Sequence, residues 1–284
     1  MRRMLAGILV AGVLLAACAQ STTPSAGGSS GSGGSNCSVG SLPLHTSGQL
    51  TVATDSPAYS PWFRHNDPSN GQGYESAVAY AVAEKMGFSQ SQLHWTVEPF
   101  GKSFAPGPKD FDFAIEQISI TPERAQAVTF SDGYYNDQQA LIGVKGTPIA
   151  NATSVSQLTS YKFAAEQGTT SLQFIAQVIQ PTQQPGVYDT TRDAISALQA
   201  GQVDGLVLDL PTAAYTQYSV QNGVLIGKFA PTNPPEQFGL LLEKGNPLVT
   251  CVNKAIEALK SGGTLQQLQQ RWLKSYADVP DITG

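Results

Sequence analysis

The side chains able to do chemistry in this chain are few and scattered. His45, His65 and His94 show no HxxxH spacing, and Cys18, Cys37 and Cys251 form no CxxC pair. The sequence therefore offers no zinc site, structural or catalytic. No GxGxxG or GxxxxGKS/T run occurs, which leaves nucleotide binding without support. Glu116 and Glu166 are the carboxylates that acid–base chemistry would use, with no histidine evident beside them. Gly168-Thr169-Thr170 lies at a strand-to-helix turn, where the N–H groups of a helix start favour an anion, although most such turns bind nothing. Arg124 read alone is a surface arginine in a loop after a strand. Asp209 read alone is the N-cap of a helix that begins around Pro211.

The elements that must position these residues alternate between two periods. Leu50–Thr54 reads as a strand ending at Asp55, and Leu93–Val97, Phe111–Ile115 and Lys162–Ala165 read as further strands. Gln139–Val144, Val203–Leu208 and Phe238–Leu242 complete the set of apolar runs. Tyr74, Ala77, Val78, Ala81 and Val82 mark an amphipathic helix stopped by Gly87. Helices are expected over Leu172–Ile179, from a cap at Thr191 to Gly201, from Asn246-Pro247 to Gly262, and from a cap at Thr264 through Trp272. Strands and helices alternating in this way give an α/β fold.

The first residues read as an address. Arg2 and Arg3 precede an apolar stretch, Met4–Leu15, too short to span a bilayer. Leu15-Ala16-Ala17-Cys18 resembles the lipobox of bacterial lipoproteins, which implies a signal peptide over 1–18 and lipidation of Cys18. The Ser/Gly-rich stretch over 19–43 reads as a flexible tether. Cys37 and Cys251 in an oxidising compartment invite a disulfide, the alternative being a buried thiol at Cys251. The net charge is −5, and charged residues make up 13% of the chain with no long Lys/Arg run, which argues against a nucleic-acid partner.

Several segments carry a resemblance. Gly73-Tyr74-Glu75, Asp112, Ser119-Ile120-Thr121-Pro122-Glu123-Arg124 and Phe130-Ser131-Asp132-Gly133-Tyr134-Tyr135 follow one another at fitting spacing. Gln199–Gly205 with Asp209, and Gly262–Trp272, extend the match. The chain thus resembles the bacterial extracellular solute-binding proteins of family 3, which serve ABC importers of polar amino acids. The resemblance implies a two-lobed periplasmic-binding-protein-like fold of type II with two crossover hinge segments. Lobe 1 would comprise 44–133 and 237–276, lobe 2 would comprise 138–235, and 277–284 would be a tail.

It also implies a site. An α-amino acid is a zwitterion whose carboxylate suits a planar arginine. Arg124 matches the carboxylate partner, with backbone donors from Ser119 and Thr170 beside Thr169. Asp209 matches the ammonium partner, helped by Ser119 and the carbonyl of Gln117. Asp55, Tyr59, Trp62, Phe100 and Glu166 match or neighbour positions around the ligand side chain. Trp62 competes with a core role, and two acids near the pocket favour a basic or amide ligand. No cofactor or metal is expected. The expected partners are an amino acid, a permease and an ATPase, with the monomeric chain lipid-anchored on the outer face of the cytoplasmic membrane. The alternatives are a ligand-sensing module and a same-fold enzyme resembling cyclohexadienyl dehydratase.

Overall fold

The computed structural model describes residues 36–273, 276 and 278–284. The expected signal peptide over 1–18, with Cys18, and the tether as far as residue 35 lie outside the described residues. Residues 36–43, also expected in the tether, pack on the fold instead: Cys37, Val39 and Leu42 lie against the first core. Cys37 is bonded to Cys251, with their Cα atoms 5.6 Å apart.

The chain begins with β1 (Leu50–Thr54), α1 (Tyr74–Lys85), β2 (Leu93–Val97), a short α2 (Phe100–Ser103), β3 (Phe113–Ala114) and α3 (Arg124–Ala127). Two long neighbours follow, β4 (Val128–Asp137) and β5 (Gln139–Val144). Next come β6 (Phe163–Glu166), α4 (Thr170–Phe174), β7 (Gly186–Tyr188), α5 (Thr191–Gln199), β8 (Gly205–Asp209) and α6 (Leu210–Thr216). The chain ends with β9 (Gly223–Phe229), β10 (Glu236–Glu243), α7 (Val249–Ser261), α8 (Thr264–Trp272) and β11 (Asp281–Ile282).

These strands form two sheets, ordered β2-β1-β3-β10-β4 and β11-β9-β5-β8-β6-β7. In the first, β1 runs parallel to β2 and β3, while β10 is antiparallel to β3 and β4. In the second, β6 is parallel to β7 and β8, and β5 is antiparallel to β8 and β9. The chain passes from one sheet to the other after Asp137 and returns before Glu236, so the two sheets are the mixed α/β halves of a two-lobed fold. Within 277–284, expected as a tail, the described residues 278–284 do more: β11 pairs in parallel with Lys228 and Phe229, and Ile282 enters a core of the second sheet. The C-terminus therefore adds a third tie to that sheet.

Each sheet buries both faces, as mixed sheets covered by crossover helices do. One face of the first sheet packs Val52, Phe113 and Leu240 against Val78, Val82, Val252 and Ile256 of α1 and α7. The other packs Ala53, Ala114 and Leu241 around Phe111 and Ile118. The second sheet is covered likewise, by Ala194 and Leu198 on one side and by Ile175, Ile179 and Phe229 on the other. In β8 the unbroken run Gly205–Leu208 is buried on both sides, as its interior position between β5 and β6 requires.

Local chemistry sets the helix starts near the site. Gly73 precedes α1 at φ +100°, and a Cβ there would sit 2.3 Å from the Trp62 carbonyl oxygen. That close approach lets the N–H groups of Tyr74 and Glu75 bond the carbonyls of Pro61 and Trp62. Two caps lie one residue before the expected position. Thr190, not Thr191, accepts from Asp193 N at the start of α5, and Gly263, not Thr264, precedes α8.

Candidate functional site

A cleft of about 750 Å3, mouth included, opens between residues of the two sheets. Asp55, Tyr59, Phe100, Gln117, Ser119 and Arg124 line it from the first-sheet side. Glu166, Thr169, Thr170 and Asp209 face them from the ends of β6 and β8 and the start of α4. Trp62 does not line it. Its ring is fully buried in an edge-on aromatic cluster with Tyr74, Tyr135 and Phe238, at centroid distances of 6.0, 5.4 and 5.5 Å. Its Nε1 donates to Thr212 Oγ1 at 2.8 Å, so Trp62 latches the base of the cleft rather than contacting its contents.

Arg124 begins α3 and is buried. Nη1 donates to the Ser119 carbonyl and Nη2 to the Gly168 carbonyl, both at 2.9 Å. The guanidinium lies over the rings of Phe104 and Phe100, 4.6 and 5.4 Å from their centroids. Gly168 is matched to this contact: it sits at φ +78°, and a Cβ there would lie 3.4 Å from Phe104 Cζ. Burial lowers the Arg124 pKa, while the carboxylates of Glu236 and Asp209 act against that shift. No carboxylate lies within ion-pair distance of Arg124 among the described residues. The two bonds leave other N–H groups of the fork unspent.

Asp209 ends β8 and occupies the N-cap position of α6, as the sequence suggests, but its side chain makes no cap bond there and is left to the cleft. Oδ1 accepts from Gln139 Nε2 at 3.0 Å. Its carboxyl is pushed up to about 7 by burial and then by the nearby Glu236 carboxylate. Behind it stand Asp137 and Glu236, with oxygens of all three acids within 4.8 Å of one another. Burial first, and then Asp209 and Glu236, hold the Asp137 carboxyl far above the usual range. Glu236 accepts from Ser119 Oγ at 2.7 Å and from Gln139 Nε2 at 3.2 Å, and Gln139 Oε1 accepts from Ser171 Oγ at 2.7 Å. Ser119 Oγ also lies 3.3 Å from Thr170 Oγ1, a second contact across the cleft beside Arg124–Gly168.

The remaining acids differ in how they are satisfied. Asp55 accepts from the N–H groups of Ser56 and Phe100, at 2.6 and 3.3 Å. Glu166 Oε2 accepts both Thr191 N and Thr191 Oγ1, at 2.7 and 2.8 Å, and so serves the first turn of α5. Glu116 lines the cleft with neither carboxylate oxygen hydrogen-bonded. Behind the wall, fully buried Glu75 accepts from Gln117 N at 2.7 Å, from Gln117 Nε2 and from Tyr134 Oη. Gln117 has φ +55°, so this grip holds a strained turn in place. Three sequence motifs, around Glu75, Gln117 and Tyr134, thus meet in one knot.

Sequence reasoning missed Asp137, Gln139 and Glu236. Each stands at a strand end beside a passage between the sheets, and only that placement could have flagged them.

Comparison with known proteins follows the same lines. The family model of the bacterial extracellular solute-binding proteins, family 3, matches residues 50–275. The ABC transporter arginine-binding protein 1 of Escherichia coli (strain K12) is 28% identical over 207 residues, covering 70% of this chain and 81% of that protein. The ABC transporter glutamine-binding protein GlnH of Bacillus subtilis (strain 168) is 26% identical over 217 residues, covering 75% and 77%. An ancestral arginine-binding protein bound to arginine matches with a TM-score of 0.66 at 28% identity, covering 79% of this chain and 98% of that one. The ancestral amino acid-binding protein AncCDT-1, a precursor of cyclohexadienyl dehydratase, matches with a TM-score of 0.65 at 27% identity, covering 80% and 96%. No helix among the described residues is long and apolar enough to cross a membrane.

Proposed function

Because the chain belongs to the bacterial extracellular solute-binding proteins, family 3, we propose that it captures a polar L-amino acid for an ABC importer, by binding and not by turnover. The observation that carries this reading is the placement of Arg124 and Asp209 in one cleft, reached from different sheets. The ligand carboxylate takes the unspent N–H groups of Arg124, and its ammonium takes Asp209 and the oxygens around Ser119. Lobe 1 is 44–133 with 237–276, and lobe 2 is 138–235. One zwitterion satisfies both walls only when they are together, so the ligand favours the closed arrangement. Arg124 is the one cation against Asp55, Glu116, Glu166 and Asp209 among the lining residues, which favours a basic or amide side chain over an acidic one.

The protein works outside the cell, held to the outer face of the cytoplasmic membrane by lipid on Cys18. It acts as a monomer and delivers its ligand to a permease driven by an ATPase. The test is a thermal-shift screen of the purified protein against the twenty amino acids, followed by calorimetry and chromatography of the recovered ligand. A basic or amide amino acid should raise the melting temperature and be recovered intact. If no amino acid raises it, the reading fails, and if the ligand returns dehydrated or cleaved, the protein is an enzyme.

A further inference from the structure

Glu116 follows β3 on the turn that leads into Gln117 and is only 5% exposed, yet it lines the cleft. Neither of its oxygens has a hydrogen-bond partner, and no basic group among the described residues pairs with it. The other lining acids have found donors within the protein: Asp55 in two backbone N–H groups, Glu166 in Thr191, Asp209 in Gln139. A buried carboxylate left without any donor is among the costliest arrangements a fold can hold. The charged groups facing it give no relief. Asp55 at the end of β1, Glu75 in α1 and Glu166 at the end of β6 are all acidic. The cation that Glu116 acts on, Arg124, spends bonds on the carbonyls of Ser119 and Gly168.

Resting on the amino-acid reading above, we propose that Glu116 is the specificity-determining residue of this cleft, and that it receives a cation carried at the far end of the ligand side chain. The cleft then selects a guanidinium- or ammonium-bearing amino acid over its uncharged amide counterpart. The missing donors are brought by the ligand: a guanidinium offers a planar fork of N–H groups that two free carboxylate oxygens accept together. Asp55 and Glu166 add negative potential from either side without giving up their own bonds.

Proton affinity at Glu116 differs between the empty and filled states. Burial first, then Asp55 and Glu75, and Glu166 more weakly, push its carboxyl well above the usual range in the empty cleft, opposed by the nearby Ser103 hydroxyl, and so favour the protonated form. On binding, the O–H bond of Glu116 breaks, its proton leaves to solvent, and the carboxylate accepts N–H bonds from the ligand cation, which keeps all its own protons. An uncharged amide cannot force this exchange and leaves the proton on Glu116.

The experiment is calorimetry of the purified full chain with arginine and with glutamine, in phosphate and in Tris at about pH 7.5, for the natural protein and Glu116→Gln. The heat difference between buffers counts protons released. Arginine should bind the natural protein at least ~10-fold more tightly than glutamine and release about one proton more, since the α-ammonium that both ligands share acts on the Asp137–Asp209–Glu236 cluster alike. In Glu116→Gln, arginine affinity should fall by ~10-fold or more and the excess proton release of arginine over glutamine vanish, while a cooperative thermal unfolding transition of the empty variant shows that it is folded. Arginine binding that releases no more protons than glutamine binding in the natural protein overturns the inference even if the variant does not fold. So does unchanged arginine affinity in Glu116→Gln, or a natural protein that prefers glutamine. If the natural protein binds no amino acid at all, it is the underlying amino-acid reading that has failed.

Discussion

Replacing Arg124 by alanine tests binding and folding together. In the native protein the guanidinium donates to two carbonyls at 2.9 Å and lies over two aromatic rings. Bonds from a charged donor are worth about 1.5–3 kcal/mol each, net of desolvation. Each ring contact is worth about 0.5–2 kcal/mol. The empty Arg124→Ala protein should therefore lose at least ~3 kcal/mol of stability, a fall of roughly 6–12 °C in melting temperature at this size. Binding loses a further partner. The ligand carboxylate would lie buried without it, near Asp209 and Glu236. Truncating one side of a buried charge pair costs about 2–5 kcal/mol, or roughly 30- to 5,000-fold in Kd. Calorimetry with the best amino acid from the screen, at a temperature where the empty variant is folded, paired with its thermal unfolding, reads both quantities. An unchanged Kd would remove Arg124 from the site. An empty variant as stable as the natural protein would refute the contact energies argued here.

Two further perturbations follow from the same structure. Burial raises Glu75 to about 7, and burial with Glu236 raises Asp209 to about 7, so the folded protein holds protons that the unfolded chain sheds above about pH 4. The linkage sign makes stability fall as pH rises from about 4 to 7 and makes the gain complete below that window. Fully buried Glu75 should contribute more than Asp209, which keeps partial contact with solvent through the cleft. The urea midpoint of the empty protein should therefore be higher at about pH 5 than at about pH 7.5, and a flat or falling midpoint on acidification would contradict this. The Cys37–Cys251 bond joins residues 214 apart in sequence, for which chain entropy sets a ceiling of about 5 kcal/mol. A Cys37→Ser/Cys251→Ser double variant should lose about 2–4 kcal/mol in urea unfolding while ligand affinity stays within ~2-fold, because the pair sits in the first core away from the cleft. A large change in affinity would show that the N-terminal segment reaches the site.

Regular elements were legible wherever burial is periodic. The spacing of Tyr74, Val78 and Val82 marks α1 because that face meets the first core, and the apolar run of β8 marks an interior strand. The ten residues of β4 escape such reading because Ser131, Asp132 and Gly133 interrupt the pattern where its pairing with β10 shifts register. β9 and β11 were missed too, and β11 has only two paired residues. Within the site, residues on strand ends or helix starts, such as Asp55 and Asp209, could be placed because their element fixes their direction. Trp62 could not: it sits in an irregular loop whose turns, not its periodicity, decide which way the ring points. The contacts among Gln139, Asp209 and Glu236 join residues 70 and 97 apart in sequence, a distance at which local pattern carries no information.

The charge arrangement explains why the cleft needs its ligand. Asp137 ends β4, Glu236 begins β10 and Asp209 ends β8, so the three acids converge where the chain passes between the sheets. Asp137 has no partner at hydrogen-bond geometry, with Asp209 and the Gln138 N–H close by, while Gln139 supplies one side-chain nitrogen to the other two acids. Left to itself the cluster lowers its repulsion by retaining protons, which is why Asp137 and Asp209 titrate high. Arg124, on the same first-sheet side as Asp137 and Glu236, is a buried cation bonded to carbonyls and covered by rings. The acid cluster and Arg124 carry opposite charges that do not meet within ion-pair distance among the described residues. On the proposed function, an α-ammonium would supply three N–H donors and a positive charge to the acids, and the carboxylate on the same carbon would supply two acceptors and a negative charge to Arg124. Neither group could be exchanged for the other without facing its own sign, so the cluster and Arg124 would also fix which way round the ligand lies. Because Asp209 stands on the second sheet and Arg124 on the first-sheet side, a zwitterion that contacts both would favour the arrangement that brings them together, and a variant that weakens either contact should weaken that preference.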